Sequence, residues 1–79
     1  MVNSIINYKE YGKIRLRLNE LLIEKGVNRN QLAQSIGIRH VVIAKWCNNE
    51  VERMDLDVLA RICFALDCEI SDLIEYVNE

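Results

Sequence analysis

A chain of 79 residues is one domain by size, and it buries only roughly 60–65% of its unfolded surface, so its core is small. Half the residues are hydrophobic, proline is absent and glycine occurs three times, which favours an all-α domain and excludes collagen-like and low-complexity chains. The formal net charge of −2 excludes the uniformly basic surface common in nucleic-acid binders.

Charge is unevenly distributed. Residues 1–45 carry eight basic and three acidic side chains, a local balance of +5, whereas residues 46–79 carry two and nine, a balance of −7. A partner meets the local field rather than the net value.

Residues 1–12 (MVNSIINYKEYG) form an N-terminal arm. Ile5, Ile6, Tyr8 and Tyr11 make it more apolar than a plain disordered leader, so it suits a short strand or a segment packed on the domain or on a second copy. Residues 13–79 make up the domain. Its beginning carries two patterns. Ile14, Leu16 and Leu18 alternate with Lys13, Arg15 and Arg17, a strand signal. Ile14, Leu18, Leu21, Leu22 and Lys25 instead trace a helical face. The chain is expected to be helical from about Leu18 to Lys25, closed by Gly26, with the preceding five residues extended. Arg15 and Arg17 are either phosphate contacts or one face of that extended segment.

Asn28–Asn48 reads NRNQLAQSIGIRHVVIAKWCN. Asn28 caps a helix running to about Ile36, and Gln31 completes a capping-box pattern. Gly37 ends that helix, where the chain takes positive φ to turn sharply. Gly37–Arg39 turn the chain into a second helix, His40–Cys47. Ala33 must be small where the two helices meet, and Ile43 plugs the corner from the second. Leu32, Ile36, Ile38 and Trp46 complete the apolar set. Val42 leans toward the core or the edge of the first helix. The pattern is a helix-turn-helix, whose second helix is the element such folds lay in the DNA major groove.

Asn48-Asn49 stops this helix. After a loop over Glu50–Met54, Asp55 caps a helix over Leu56–Leu66 whose inward residues are Leu56, Leu59, Ile62, Cys63 and Leu66. Asp67 and Cys68 break it. A last helix over Ile70–Tyr76 has Ile70, Leu73, Ile74 and Val77 as its stripe, while Glu69, Asp72 and Glu75 form a solvated acidic face or a partner surface.

Cys47, Cys63 and Cys68 show no C-x-x-C pairing, and His40 is the one histidine, so reduced thiols are expected rather than zinc. No cofactor is implied. No apolar run nears a transmembrane length and no leader is evident, which points to a cytoplasmic protein with no membrane partner. No nucleophile–base constellation and no Gly-rich phosphate loop is present, so an enzyme is not expected.

From Leu18 to Tyr76 the chain resembles the Cro and lambda-repressor-like helix-turn-helix family, also called XRE-like, in its minimal single-domain form. The resemblance rests on EKGVNRNQLAQSIGI, VVIAKWCNNE and LDVLARICFALDCEISDLIEY. It implies a compact five-helix lambda-repressor-like DNA-binding domain, and a bacterial or phage transcriptional regulator binding double-stranded DNA as a homodimer. It further implies that Arg29, at the start of the helix that Asn28 caps, meets a phosphate. His40, Val41, Ala44 and Lys45 meet base edges, and Asn48 meets a phosphate. Arg39 and Arg53 are candidate phosphate contacts. Trp46 is packing rather than a stacking residue, and Leu22 and Cys47 fill positions where some relatives bury an Arg–Glu pair. The chain departs from the family's habit in two ways. Val41 and Ala44 cannot hydrogen-bond and at best touch a thymine methyl. Glu50 and Glu52 stand where cations are common. The alternative is therefore a protein-interaction module or an antitoxin-like partner on the same fold, with weak DNA affinity.

Overall fold

The computed structural model describes residues 11–78. The first ten residues of the expected N-terminal arm lie outside this range. The elements run in the order β1 (Lys13–Leu16), α1 (Leu18–Lys25), α2 (Arg29–Ile36), α3 (His40–Cys47), α4 (Leu56–Leu66), α5 (Ile70–Leu73) and β2 (Ile74–Val77). Five helices form the globule, and the two short strands pair at its edge.

Local chemistry explains the helix boundaries. Asn28 and Gln31 make the reciprocal capping box expected for α2, with Asn28 Oδ1 accepting from the Gln31 amide at 2.8 Å and Gln31 Oε1 from the Asn28 amide at 2.9 Å. Asp55 Oδ1 accepts from the Asp57 and Val58 amides and starts α4. Gly37 closes α2 at φ 70°. Asp67, not a glycine, closes α4 in the same left-handed region at φ 50°. The Cys68 amide then donates to the Cys63 carbonyl at 3.1 Å, bonding across the end of α4.

β1 resolves the double pattern of residues 13–17 in favour of alternation. The last helix departs from the expected Ile70–Tyr76: α5 stops at Leu73 and residues 74–77 are β2, antiparallel to β1 with Leu16 opposite Ile74 and Ile14 opposite Tyr76. The stretch IEYV is β-branched and aromatic, and β1 offers it a ladder that a seven-residue helix could not match. Ile70, assigned to the inward stripe, is exposed. Glu69, Asp72 and Glu75 do not form a plain solvated face: Asp72 accepts from the Glu69 amide, and Glu75 pairs across the sheet with Arg15.

That pairing also decides Arg15 and Arg17. Arg15 bridges Glu75 and Glu20, at 2.6 Å to the latter, and Arg17 reaches Glu20 at 3.3 Å. Arg15 holds the exposed Glu20 carboxyl below the ordinary carboxylate range. Both arginines thus serve the α1–β1 corner.

The core is one cluster of Leu16, Leu18, Leu21, Leu22, Leu32, Ala33, Ile43, Trp46, Val58, Leu59, Ile62, Leu66 and Leu73. Leu56 is not part of it. At the first position of α4 it points to solvent, because the inward stripe of that helix follows Val58, Leu59, Ile62 and Leu66. Cys47, Cys63 and Cys68 are free thiols at the margin of the core. Burial, together with the neighbouring Cys63, pushes the Cys68 thiol up to about 11. At neutral pH Cys68 therefore holds almost no thiolate. We expect iodoacetamide at pH 8 to modify Cys68 far more slowly in the native chain than in urea, as read by peptide mass spectrometry. Equal rates would refute this.

Candidate nucleic-acid interface

The bend between α2 and α3 orients everything at this surface. Ala33 is buried where the helices approach, and its carbonyl accepts the Ile38 amide at 3.0 Å across the turn. Ile43 is fully buried, so the opposite side of α3 must face out. From α4, Arg61 donates to the Ile36 carbonyl at 2.9 Å and satisfies the end of α2.

His40, Val41 and Lys45 are exposed on the outer face of α3, and Ala44 between them is half-buried. Val42 packs against the core margin and Trp46 lies within the core, as their spacing implies. Arg39 is the residue before α3 and makes no side-chain cap. The first amides of α3 thus lack a side-chain acceptor among the described residues, whereas α2 has one in Asn28. Such amides attract anions.

The remaining site residues fall on two sides of α3. On one side Arg29 Nη2 donates to Asn48 Oδ1 and to Asn19 Oδ1, both at 3.4 Å. This joins the start of α2 to the end of α3 and to α1. Beneath it, burial raises the Cys47 thiol above its ordinary value, and the Arg29 guanidinium offsets part of the rise. Asn19 is a contact that sequence reasoning missed. It is an ordinary polar residue on α1, and only the packing of α1 beside α3 brings it to Arg29.

On the other side Arg39, Lys45 and Arg53 line an open concavity of about 750 Å3, with Val42, Trp46, Val51 and Val58 also in its walls. Glu50, Glu52 and Asp55 line the same concavity. The carboxylates lower the positive potential that three cations would otherwise present. A second missed residue, Asn49, adopts φ 61° and accepts the Leu16 amide at 3.0 Å, tying the end of α3 to β1.

A family model described as the Cro/C1-type HTH DNA-binding domain matches residues 17–79. The chain belongs to this family. Two solved structures resemble this Cro/C1-type domain. A candidate DNA-binding protein from Bacteroides fragilis is 27% identical with a TM-score of 0.71, over 80% of this chain and 100% of that one. The transcriptional regulator VanUg is 32% identical with a TM-score of 0.66, over 86% of this chain and 91% of that one. No curated protein matches. Among the described residues of this Cro/C1-type domain, no helix is long and apolar enough to cross a membrane.

Proposed function

We propose that this Cro/C1-type domain is a sequence-specific transcriptional regulator that reads double-stranded DNA with α3 in the major groove. The observation that carries the reading is the outer face of α3. It is open to solvent and flanked on one side by the Arg29–Asn48 pair and on the other by Arg39, Lys45 and Arg53. Phosphate contacts fix register, and base-edge contacts select sequence. Arg29, Arg39, Lys45, Arg53, Asn48 and the first amides of α3 fill the first role. His40, Val41, Ala44 and Lys45 fill the second, with Val41 and Ala44 suited to thymine methyls. Only two of these four side chains hydrogen-bond, so DNA shape supplies much of the discrimination. Two copies on one site place their α3 helices roughly 34–36 Å apart, one helical turn.

Selection of bound duplex from a random pool, followed by titration over a salt series, tests the reading. A selected duplex should bind tightly and lose affinity steeply as salt rises. Lys45→Ala and Arg29→Ala should each weaken binding and lower the magnitude of the log–log salt slope by about 1. No enriched sequence and no salt-dependent binding would refute the reading. That outcome would favour a protein-interaction module, for which a specific surface exists. Leu56, Ala60 and Phe64 make an exposed row on α4, with Phe64 at 89% exposure.

A further inference from the structure

We propose that Cys63 and Cys68 are a reversible redox pair, a modification site that a small disulfide such as oxidised glutathione closes into a bond across the end of α4. The helix terminus itself builds the site. The Asp67 amide donates to the Phe64 carbonyl at 3.3 Å and the Cys68 amide to the Cys63 carbonyl at 3.1 Å, with Asp67 left-handed between them. This double closure is a Schellman motif, and Cys63 and Cys68 hold the two positions whose side chains meet in it. An apolar pair commonly makes that contact, and here two thiols stand in its place.

The surroundings of the two thiols agree with this reading. Both are free and half-buried at the margin of the core, so packing holds them while a small oxidant still reaches them. Beyond burial, Cys63 acts on the Cys68 thiol through its charge and through hydrogen bonding, which requires the two side chains to face each other. A disulfide needs Cα atoms about 4.4–6.8 Å apart with converging Cβ directions. Two residues whose backbones are hydrogen-bonded and whose side chains meet are preorganised for it. A closed zinc site needs four ligands, and among the described residues no group of three or more His, Cys, Asp or Glu is placed to hold a metal. Cys47 lies beneath Arg29 at the end of α3 and takes no part.

The bond forms by thiol–disulfide exchange. One cysteine, as its thiolate, attacks a sulfur of oxidised glutathione and releases one glutathione thiolate. The other then attacks the protein sulfur of the mixed disulfide and releases the second. The two cysteines lose two protons and two electrons, and one molecule of oxidised glutathione becomes two of the reduced thiol. Cys68 holds almost no thiolate at neutral pH, so Cys63 makes the first attack. The closed bond pins the junction of α4 and α5, away from the outer face of α3. It therefore acts on the stability of the fold rather than on contacts with DNA.

Equilibration of the full chain with reduced and oxidised glutathione at pH 8, in buffer and in urea, tests the proposal. After acid quenching and alkylation, peptide mass spectrometry should show Cys63 joined to Cys68, with Cys47 outside the bond. Folding should raise the equilibrium constant for that bond roughly tenfold or more over its value in urea. By linkage, the oxidised chain should then unfold at a higher urea concentration than the reduced one. Cys63→Ser and Cys68→Ser should each stop at a glutathione adduct on the remaining thiol of the pair. The comparison in urea uses the native sequence alone, so it does not depend on either variant folding. An equilibrium constant no higher in the native chain than in urea would leave the two cysteines as packing and overturn the proposal. A bond from Cys47 to either of them in the native chain would overturn it too.

Discussion

Ile43→Ala is expected to lower the unfolding free energy by about 2–5 kcal/mol, as buried Ile-to-Ala truncations do. Ile43 is 0% exposed and belongs to the buried cluster that α1, α2, α3 and α4 share. Truncation removes three carbons from that cluster and leaves a void at the corner of the helix-turn-helix. The neighbours cannot collapse into it freely, because Ala33 is small for the approach of α2 and α3 and Trp46 is already packed. A domain of this size stands near the lower end of the usual 5–15 kcal/mol range, so the loss is about a third or more of the total. Urea unfolding followed by circular dichroism measures it. Val41→Ala, on the exposed face of the same helix, should stay within about 0.5 kcal/mol of the native chain. A change below about 1 kcal/mol at Ile43 would mean that the corner is not tightly packed.

Asn49→Ala should be the most damaging single change outside the core, at about 2–4 kcal/mol. Two separate effects add. The Leu16 amide loses its acceptor at a partly buried position, worth about 1–3 kcal/mol. Alanine must also hold the left-handed conformation that Asn49 has at φ 61°, at about 1 kcal/mol. Asn49→Gly separates the two, because glycine takes that conformation freely but still lacks the side-chain oxygen. The glycine variant should therefore be intermediate between the native chain and the alanine variant in urea midpoint. Hydrogen exchange at the Leu16 amide should accelerate in both. Identical midpoints for the glycine variant and the native chain would show that the hydrogen bond contributes nothing.

Much of this was legible along the chain because the signals were local. Asn28 with Gln31 announced the start of α2, and Asp55 announced α4, since a cap and its amides lie within three residues. Gly37 marked the turn, and the spacing of Ala33, Ile43 and Trp46 marked the inner faces. The same spacing put Val41 and Lys45 outside, which is why the outer face of α3 was readable as a face. Leu56 was misread because it lies three residues before Leu59 and so matched the helix period near enough to join the stripe. The inward face through Val58, Leu59, Ile62 and Leu66 projects back to position 55, one residue away, and that difference is a matter of rotation, not hydropathy.

What lay beyond reach was set by partners far apart in the chain. Residues 13–16 and 74–77 are each too short and too ambiguous to declare a strand, and each becomes one because the other is beside it. The pairing of Arg15 with Glu75, the meeting of Arg29 with Asn19 and Asn48, and the hold of Asn49 on Leu16 follow from that packing. Periodicity and capping alone determined the helix-turn-helix and its outward face, because both act within a turn or two of helix. The sheet and the grouping of the cations around α3 were decided by the tertiary structure, because hydrogen bonds and ion pairs between distant residues exist only once the core has brought them within reach.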